Sequence, residues 1–373
     1  MSPARIALVG TGWWATTTHL PALQSHPDAE IIAICDLDAD KARKTADVFG
    51  IASIYSDFET MLERETLDGV MVATHHAAHY PVAKACLDRG KHVFIEKPMT
   101  LRAKQARALV ELASAKDRQI VMGYNSNHSA LAFRAREVVR SGELGAVQFI
   151  NGLFSQHIQP LLAGEDVVHQ ARLHGPGDVY SDPIRSGGGH GHLQITHLAG
   201  MTFFITGLRV ARVRSLTANH GLKVDLAIAI LAELDDGALA NLGGSGNLPG
   251  GGRSFRLTIN CERGWIELDD SQGRLIIRRE GEEPERYDGG AAVPLTPRPP
   301  LPQGLRVDTA VREGSQRSMD FAPTHDFVDV ILGRAENHSD GLIGWRAAEL
   351  LDAAYRSAEQ GGAAVSRDEL YGE

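Results

Sequence analysis

Ala4-Arg5-Ile6-Ala7-Leu8-Val9 is a short apolar run with the length and branching of a buried strand, and it breaks directly into Gly10-Thr11-Gly12-Trp13-Trp14-Ala15. Strand, glycine turn and helix in that order leave few folds open. Gly10 permits a tight turn, Gly12 lets the backbone approach a diphosphate with no Cβ in the way, and Ala15 takes the third-glycine place where helix meets strand. The N–H groups of a helix beginning near Trp14 then face the phosphates.

A second apolar run, residues 30–35, ends in Asp36, where a second parallel strand would carry an acid to the adenosine ribose hydroxyls. The competing reading is a glycine turn in some other α/β protein, with Asp36 capping a helix that starts near Leu37. Glycines, strand and acid in this order favour the dinucleotide site. Asp36 would repel a 2′-phosphate, so NAD is expected and NADP disfavoured.

At 373 residues the chain suits two domains, and 43% hydrophobic with 23% charged residues describes a globular protein. A net charge of −9 without a basic stripe argues against nucleic acid. Cys35, Cys86 and Cys261 are far apart and form no C-x-x-C pair, which fits a reducing cytoplasm. The apolar N-terminal run is too short for a signal peptide, and nothing approaches a membrane span.

From residue 4 to about 124, apolar runs alternate with helical patterns, the signature of a parallel sheet with crossover helices. The strand ends at Thr74, Glu96-Lys97 and Tyr124 lie where such sheets bind ligands. Beyond 124 the rhythm changes. A helix near 129–141 precedes a long strand at 146–154, residues 156–190 carry little periodicity, and a helix spans about 192–206. Six strands between 209 and 279, joined by short turns, predict an antiparallel sheet with helices on one face. Residues 282–318 are expected to be a long loop or arm, followed by helices near 324–333 and 343–360. The expected class is therefore α/β plus α+β. A Rossmann dinucleotide-binding domain covers 1–124, and a predominantly antiparallel substrate and oligomerisation domain covers 125–373, its last helix packing back near the first domain.

Gly10-x-Gly12-x-x-Ala15, Cys35-Asp36, Gly90-Lys91-His92-Val93-Phe94-Ile95-Glu96-Lys97-Pro98, Gly145 opening the second sheet, and Gly187-Gly188-Gly189 before a helix bearing His197 together resemble the glucose-fructose oxidoreductase and inositol dehydrogenase family (Gfo/Idh/MocA). The resemblance covers nearly the whole chain. It implies a nicotinamide dinucleotide, a carbohydrate or cyclitol substrate, no metal, and a homodimer or homotetramer. A sheet with helices on one face only also leaves an apolar face to cover.

An ammonium at Lys97, at a strand end beside the nicotinamide, can hydrogen-bond a substrate hydroxyl and stabilise the alkoxide that forms as hydride leaves. Desolvation would lower its pKa and let it share in proton transfer. The bland alternative is a surface lysine paired with Glu96. In the family a histidine at the place of His197 acts with an aspartate four residues earlier. Here Leu193 stands there, and Gln194 shares the histidine's face but cannot titrate. Lys97 and His197 are thus the expected catalytic pair. Cofactor contacts are expected from Gly10, Thr11, Gly12, Trp13, Trp14, Ala15, Asp36, Thr74, His75, His79, Glu96, Lys97 and Asn125. Substrate contacts are expected from Lys97, Tyr124, Gln194, His197 and the loop residues His157, His169, Tyr180, Asp182 and Arg185. The histidines near 75–79 and 190–192 lack a carboxylate that would complete a metal-ligand pattern.

The first functional reading is an NAD-dependent oxidoreductase acting on a secondary hydroxyl of a sugar, glycoside, sugar acid or cyclitol. Two others stay open: a cofactor-retaining enzyme that cleaves glycosides by transient oxidation and elimination, and a non-catalytic sugar or NAD sensor on the same fold.

Overall fold

A six-stranded parallel sheet opens the chain, built from β1 (Ala4–Val9), β2 (Ala29–Cys35), β3 (Ser53–Tyr55), β4 (Gly69–Val72), β5 (His92–Ile95) and β6 (Ile120–Met122) in the order 3-2-1-4-5-6. The computed structural model describes residues 2–165, 173–287 and 315–372. His169 and most of the expected arm at 282–318 lie outside them. β1, β4 and β5 are buried on both faces, as their unbroken apolar runs require. The strand order reverses between β1 and β4, and a ligand crevice opens beyond the carboxyl ends there.

The crossover helices are α1 (Leu20–Ser25), α2 (Ala39–Phe49), α3 (Phe58–Arg64), α4 (His79–Asp88) and α5 (Ala103–Ala115). Two start on aspartate caps. Asp38 accepts from the N–H groups of Asp40 and Lys41, and Asp57 from that of Thr60. Asp38, not Asp36, therefore caps α2.

After α6 (Ala130–Arg140), a nine-stranded sheet forms from β7 (Val147–Gln156), β8 (Val210–Ala218), β9 (Ala227–Leu234), β10 (Leu239–Ser245), β11 (Arg253–Cys261), β12 (Gly264–Asp269), β13 (Arg274–Arg279), β14 (Glu285–Tyr287) and β15 (Val365–Ser366). The sheet is predominantly antiparallel, as expected, with β7 and β10 running parallel. The reason is topological. β10 and β11 flank β7 on opposite sides, so the link between them must pass around the end of β7, and three successive glycines with positive φ, Gly250 to Gly252, make that passage. β14 and β15 are too short to show a period in sequence.

Between β7 and β8 lie the short helices α7 (Gln159–Ala163) and α8 (Pro183–Ser186), a π-helical turn at Gly191–Ile195, and α9 (Thr196–Thr206). Met201, Phe203, Phe204 and Ile205 of α9 are all buried. α10 (Ser315–Ile331) begins well before the expected 324, because Pro323 reads as a helix start but sits inside the helix. Its Phe327 and Val328 join Ile6, Leu8, Met71, Phe94 and Val121 in one core, so a late segment covers one face of the first sheet. α11 (Gly341–Glu359) packs on α5 of the first sheet and on α9 and β8 of the second unit.

Candidate active site

Gly10 has φ +93°, and a Cβ there would stand 2.6 Å from the carbonyl oxygen of Ala73 at the end of β4. Only glycine fits that crossing of β1 and β4. A Cβ on Gly12, by contrast, would meet nothing within 4 Å, so the turn keeps an open cradle for a diphosphate. Thr11 donates to Asp36 Oδ2 through its backbone N–H (2.7 Å) and its hydroxyl (2.9 Å), and Asp36 Oδ1 accepts from the N–H of Asp38 (3.0 Å). Asp36 therefore fastens the glycine turn as well as ending β2. A carboxylate has about four acceptor positions, so capacity for a ribose diol remains. Beside it the apolar Leu37 side chain is 88% exposed. The donor set and the open turn fit a dinucleotide.

The helix that follows opens as a π-helical turn, Ala15–His19, with Ala15 buried against β1. The segment 173–186 is tied to the first domain at several points along the crevice. His174 Nε2 lies 2.9 Å from Thr45 Oγ1 of α2, Trp13 Nε1 donates to Tyr180 Oη (3.4 Å), and His76 Nδ1 donates to the carbonyl of Ser186 (2.8 Å). Trp13 and Trp14 meet edge to face at 5.6 Å.

Lys97 follows the end of β5, and its Nζ donates to the carbonyl of Leu193 (2.9 Å), one turn before His197. Burial pulls its basicity down to about 8 against the opposing pull of Glu96. Glu96 itself turns away from the crevice. Its Oε1 accepts from His19 Nε2 (2.9 Å), its Oε2 accepts the Lys97 N–H (3.0 Å), and His19 Nδ1 lies 2.9 Å from Thr324 Oγ1 of α10. Burial pushes the Glu96 carboxyl up, but the His19 hydrogen bond, with the charges of His19 and Lys97, outweighs it and holds Glu96 below its ordinary value. The Glu96 side chain, expected to contact the cofactor, is committed to His19 and to the Lys97 backbone N–H. The surface lysine paired with Glu96 does not occur.

His197 stands between the rings of Tyr124 (6.2 Å) and Phe154 (6.1 Å). Burial, then the charges of Lys97 and Arg253, hold it well below the ordinary histidine value, so it is an unprotonated base at neutral pH. Gln194 Nε2 donates to Gln156 Oε1 (3.3 Å) on the same side. The glycine run before them has a definite cause. Asp225 accepts from the N–H groups of Gly189 (2.6 Å) and Gly191 (2.9 Å) and from Tyr355 Oη (2.8 Å), and a Cβ at Gly189 would come within 2.0 Å of the Asp225 carbonyl oxygen.

Several expected contacts are spent elsewhere. His79 is fully buried, with Nδ1 2.7 Å from the Pro98 carbonyl and Nε2 3.2 Å from that of Thr74, so it ties two strand-end loops together. Tyr124 is 1% exposed and its hydroxyl pairs with Thr196 (3.1 Å), which makes it a core residue behind His197. Asn125 commits its amide to Asp320 of α10 (2.6 Å). Asp182 caps α8 and binds Arg185 Nε (2.6 Å), while Arg185 also reaches Asp178 (2.9 Å), so this pair is satisfied within its own loop. His157 is exposed where β7 ends. Thr74 Oγ1 donates to the carbonyl of His75 (3.2 Å), and His75 keeps a buried Nδ1 with no partner among the described residues. His19, Asp225 and Arg253 were not anticipated.

Residues 4–124 match the model of an oxidoreductase family with an NAD-binding Rossmann fold, and residues 133–267 match that of the GFO/IDH/MocA C-terminal domain. The chain belongs to the Gfo/Idh/MocA family. A dTDP-3,4-didehydro-2,6-dideoxy-alpha-D-glucose 3-reductase of Streptomyces violaceoruber is 27% identical to this Gfo/Idh/MocA protein over 371 residues, 95% of each chain. A D-glucoside 3-dehydrogenase of Escherichia coli is 30% identical over 146 residues, 39% of this chain and 42% of its own. The crystal structure of an inositol dehydrogenase homolog from Azotobacter vinelandii complexed with NAD+ superposes with a TM-score of 0.76 at 19% identity, covering 98% of this chain and 97% of the other. This Gfo/Idh/MocA protein is an NAD(P)-dependent oxidoreductase acting on CH–OH groups, with an NAD-binding Rossmann domain. Glycoside cleavage and a silent sensor gain no support from these relatives.

Proposed function

We propose that the protein transfers hydride between NAD and a secondary hydroxyl of a sugar, glycoside, sugar acid or cyclitol. The observation that carries this reading is the Lys97 ammonium on the Leu193 carbonyl, one helical turn from an unprotonated His197. The reductase and the glucoside dehydrogenase named above act, by their names, on sugars, which supports the substrate class.

Asp36 and Leu37 would hold the adenosine end of NAD, the Gly10–Gly12 turn its diphosphate, and the ends of β4 and β5 its nicotinamide. Bound there, NAD supplies the hydride acceptor. Lys97 donates to the oxygen of the reacting hydroxyl and stabilises the negative charge that develops on it. His197 accepts the hydroxyl proton on its free ring nitrogen, and Gln194 orients the substrate without exchanging a proton. A panel of sugars and cyclitols with NAD or NADP, followed by absorbance of the reduced cofactor, tests the reading. Turnover of at least one such alcohol, faster with NAD, is expected. A panel with no turnover, or a faster rate with NADP, contradicts it.

A homo-oligomer is part of the same proposal. Phe149, Leu153, Leu216, Leu231 and Leu239 stand exposed on the face of the nine-stranded sheet opposite the helices, Leu216 and Leu231 at 62% and 60%. Phe149 pairs with Leu239 across β7 and β10, and Leu231 lies opposite Asn241 on the next strand pair. A second copy laid on this face would cover it. Light scattering at micromolar concentration is expected to give at least a dimer, and Leu231→Glu to shift it towards monomer. A monomeric native protein contradicts the assignment. The three buried, unpaired cysteines support a cytoplasmic setting. No helix among the described residues is long and apolar enough to cross a membrane.

A further inference from the structure

Across the antiparallel pair of β7 and β11, Phe154 stands opposite Phe255 and Gln156 opposite Arg253. The two-residue period puts all four on the helix-covered face. The phenylalanines are buried and stack at 4.8 Å with 11° between their planes, and the Arg253 guanidinium lies 5.1 and 5.2 Å from their centroids. Its Nη2 is 2.7 Å from Asp270 Oδ2 and donates to Ser126 Oγ (3.4 Å), and Ser126 in turn donates to Asp270 (3.1 Å). The Asp270 side chain is only 4% exposed, so this carboxylate backs the arginine from the interior.

That arrangement holds one end of the guanidinium and leaves the rest open. The Arg253 side chain keeps 26% exposure, and its Nε and Nη1 have no hydrogen-bond partner among the described residues. Gln156, directly across from it, holds Gln194, and the Phe154 ring beneath it also flanks His197. The open N–H groups therefore belong to the same cleft as Lys97, Gln194 and His197.

Among the described residues, charge in the cleft has one sign. Lys97 and Arg253 both act on His197, Glu96 is turned inward to His19, and Asp270 lies behind the arginine. Leu193 occupies the position one turn before His197 and adds no carboxylate. An arginine already fixed by packing and an ion pair loses little freedom on binding, and charge-assisted hydrogen bonds to a planar cation are the strong kind.

We propose that Arg253 forms an anion subsite and that the substrate is an acidic sugar, carrying a carboxylate or a phosphate ester in addition to its reacting hydroxyl. This rests on the reading that Lys97 and His197 work on a hydroxyl in the cleft. Calorimetric titration of the NAD-loaded protein with D-glucose, D-glucuronate and D-glucose 6-phosphate tests it without requiring turnover. At least one acidic sugar is expected to bind about tenfold tighter than glucose or better, the scale of a charge-assisted hydrogen bond, and which one tells carboxylate from phosphate. Arg253→Met should abolish the difference. Arg253→Lys keeps a cation beside Asp270 and should retain part of it, which guards against a misfolded methionine variant. Equal or absent binding of the acidic sugars by the native protein overturns the proposal, as does a preference that survives Arg253→Met. Measuring NAD reduction with the same three compounds separates the two levels. Turnover without charge preference leaves the oxidoreductase and removes the subsite. Arginine-dependent binding of an acidic sugar, with no NAD reduction by any of the three, supports the subsite and counts against the chemistry.

Discussion

Lys97→Met is expected to lower kcat by roughly 10²-fold or more while NAD affinity changes little, because the ammonium acts on charge that exists only as the hydroxyl loses hydride. Its contact with the Leu193 carbonyl places Nζ beside the helix that carries His197, and burial has already brought its basicity down to about 8. Methionine keeps the length and apolar stem and removes only the donor. His197→Ala should cost a similar factor by removing the proton acceptor. Steady-state kinetics with fluorescence titration of NAD checks both. A loss confined to NAD binding, or turnover within a few-fold of the native value, would contradict the assignment.

The largest effect on stability is expected from Asp225→Ala. Three donors converge on this buried carboxylate: the N–H groups of Gly189 and Gly191 and the hydroxyl of Tyr355. Alanine strands all three away from water, and such groups cost about 1–3 kcal/mol each when left unpaired, so a loss of about 3–5 kcal/mol is expected after relaxation. Asp225→Asn retains an acceptor and should lose less. Chemical denaturation measures the difference, and a loss below about 1 kcal/mol for alanine would show that the glycine run holds its shape without Asp225. Because that run leads into Gln194 and His197, the alanine variant should also lose turnover in the fraction that remains folded.

The parts of the site that could be read from sequence are those where one local backbone event demands one residue type. Gly10 is required by the crossing against Ala73, Gly12 borders open space, and Asp36 and Lys97 stand at strand ends, so pattern and chemistry coincide. What escaped reading depends on partners far away in the chain. Glu96 is claimed by His19, 77 positions earlier, and the glycine run by Asp225, 36 positions after Gly189. A strand end also does not tell which way the next ring turns. Tyr124 and His79 both follow apolar runs of the parallel sheet, yet both are buried and bonded inward. The fold class followed from alternating runs, whereas the parallel pairing of β7 and β10 depends on how a glycine-rich link passes a third strand.

The central claim is that a protonated Lys97 and an unprotonated His197 act together on a substrate hydroxyl, and the pH dependence of kcat/KM for alcohol oxidation tests it most directly. Lys97 must keep its proton, so activity should fall as pH rises through about 8. His197 must lack its proton and is held well below 6.5, so activity should stay level as pH falls through the ordinary histidine range. A profile level to near pH 6 with an alkaline limb near 8, the limb absent in Lys97→Met, is the predicted result. An acidic limb at 6.5, or activity that keeps rising beyond pH 9, would contradict the account.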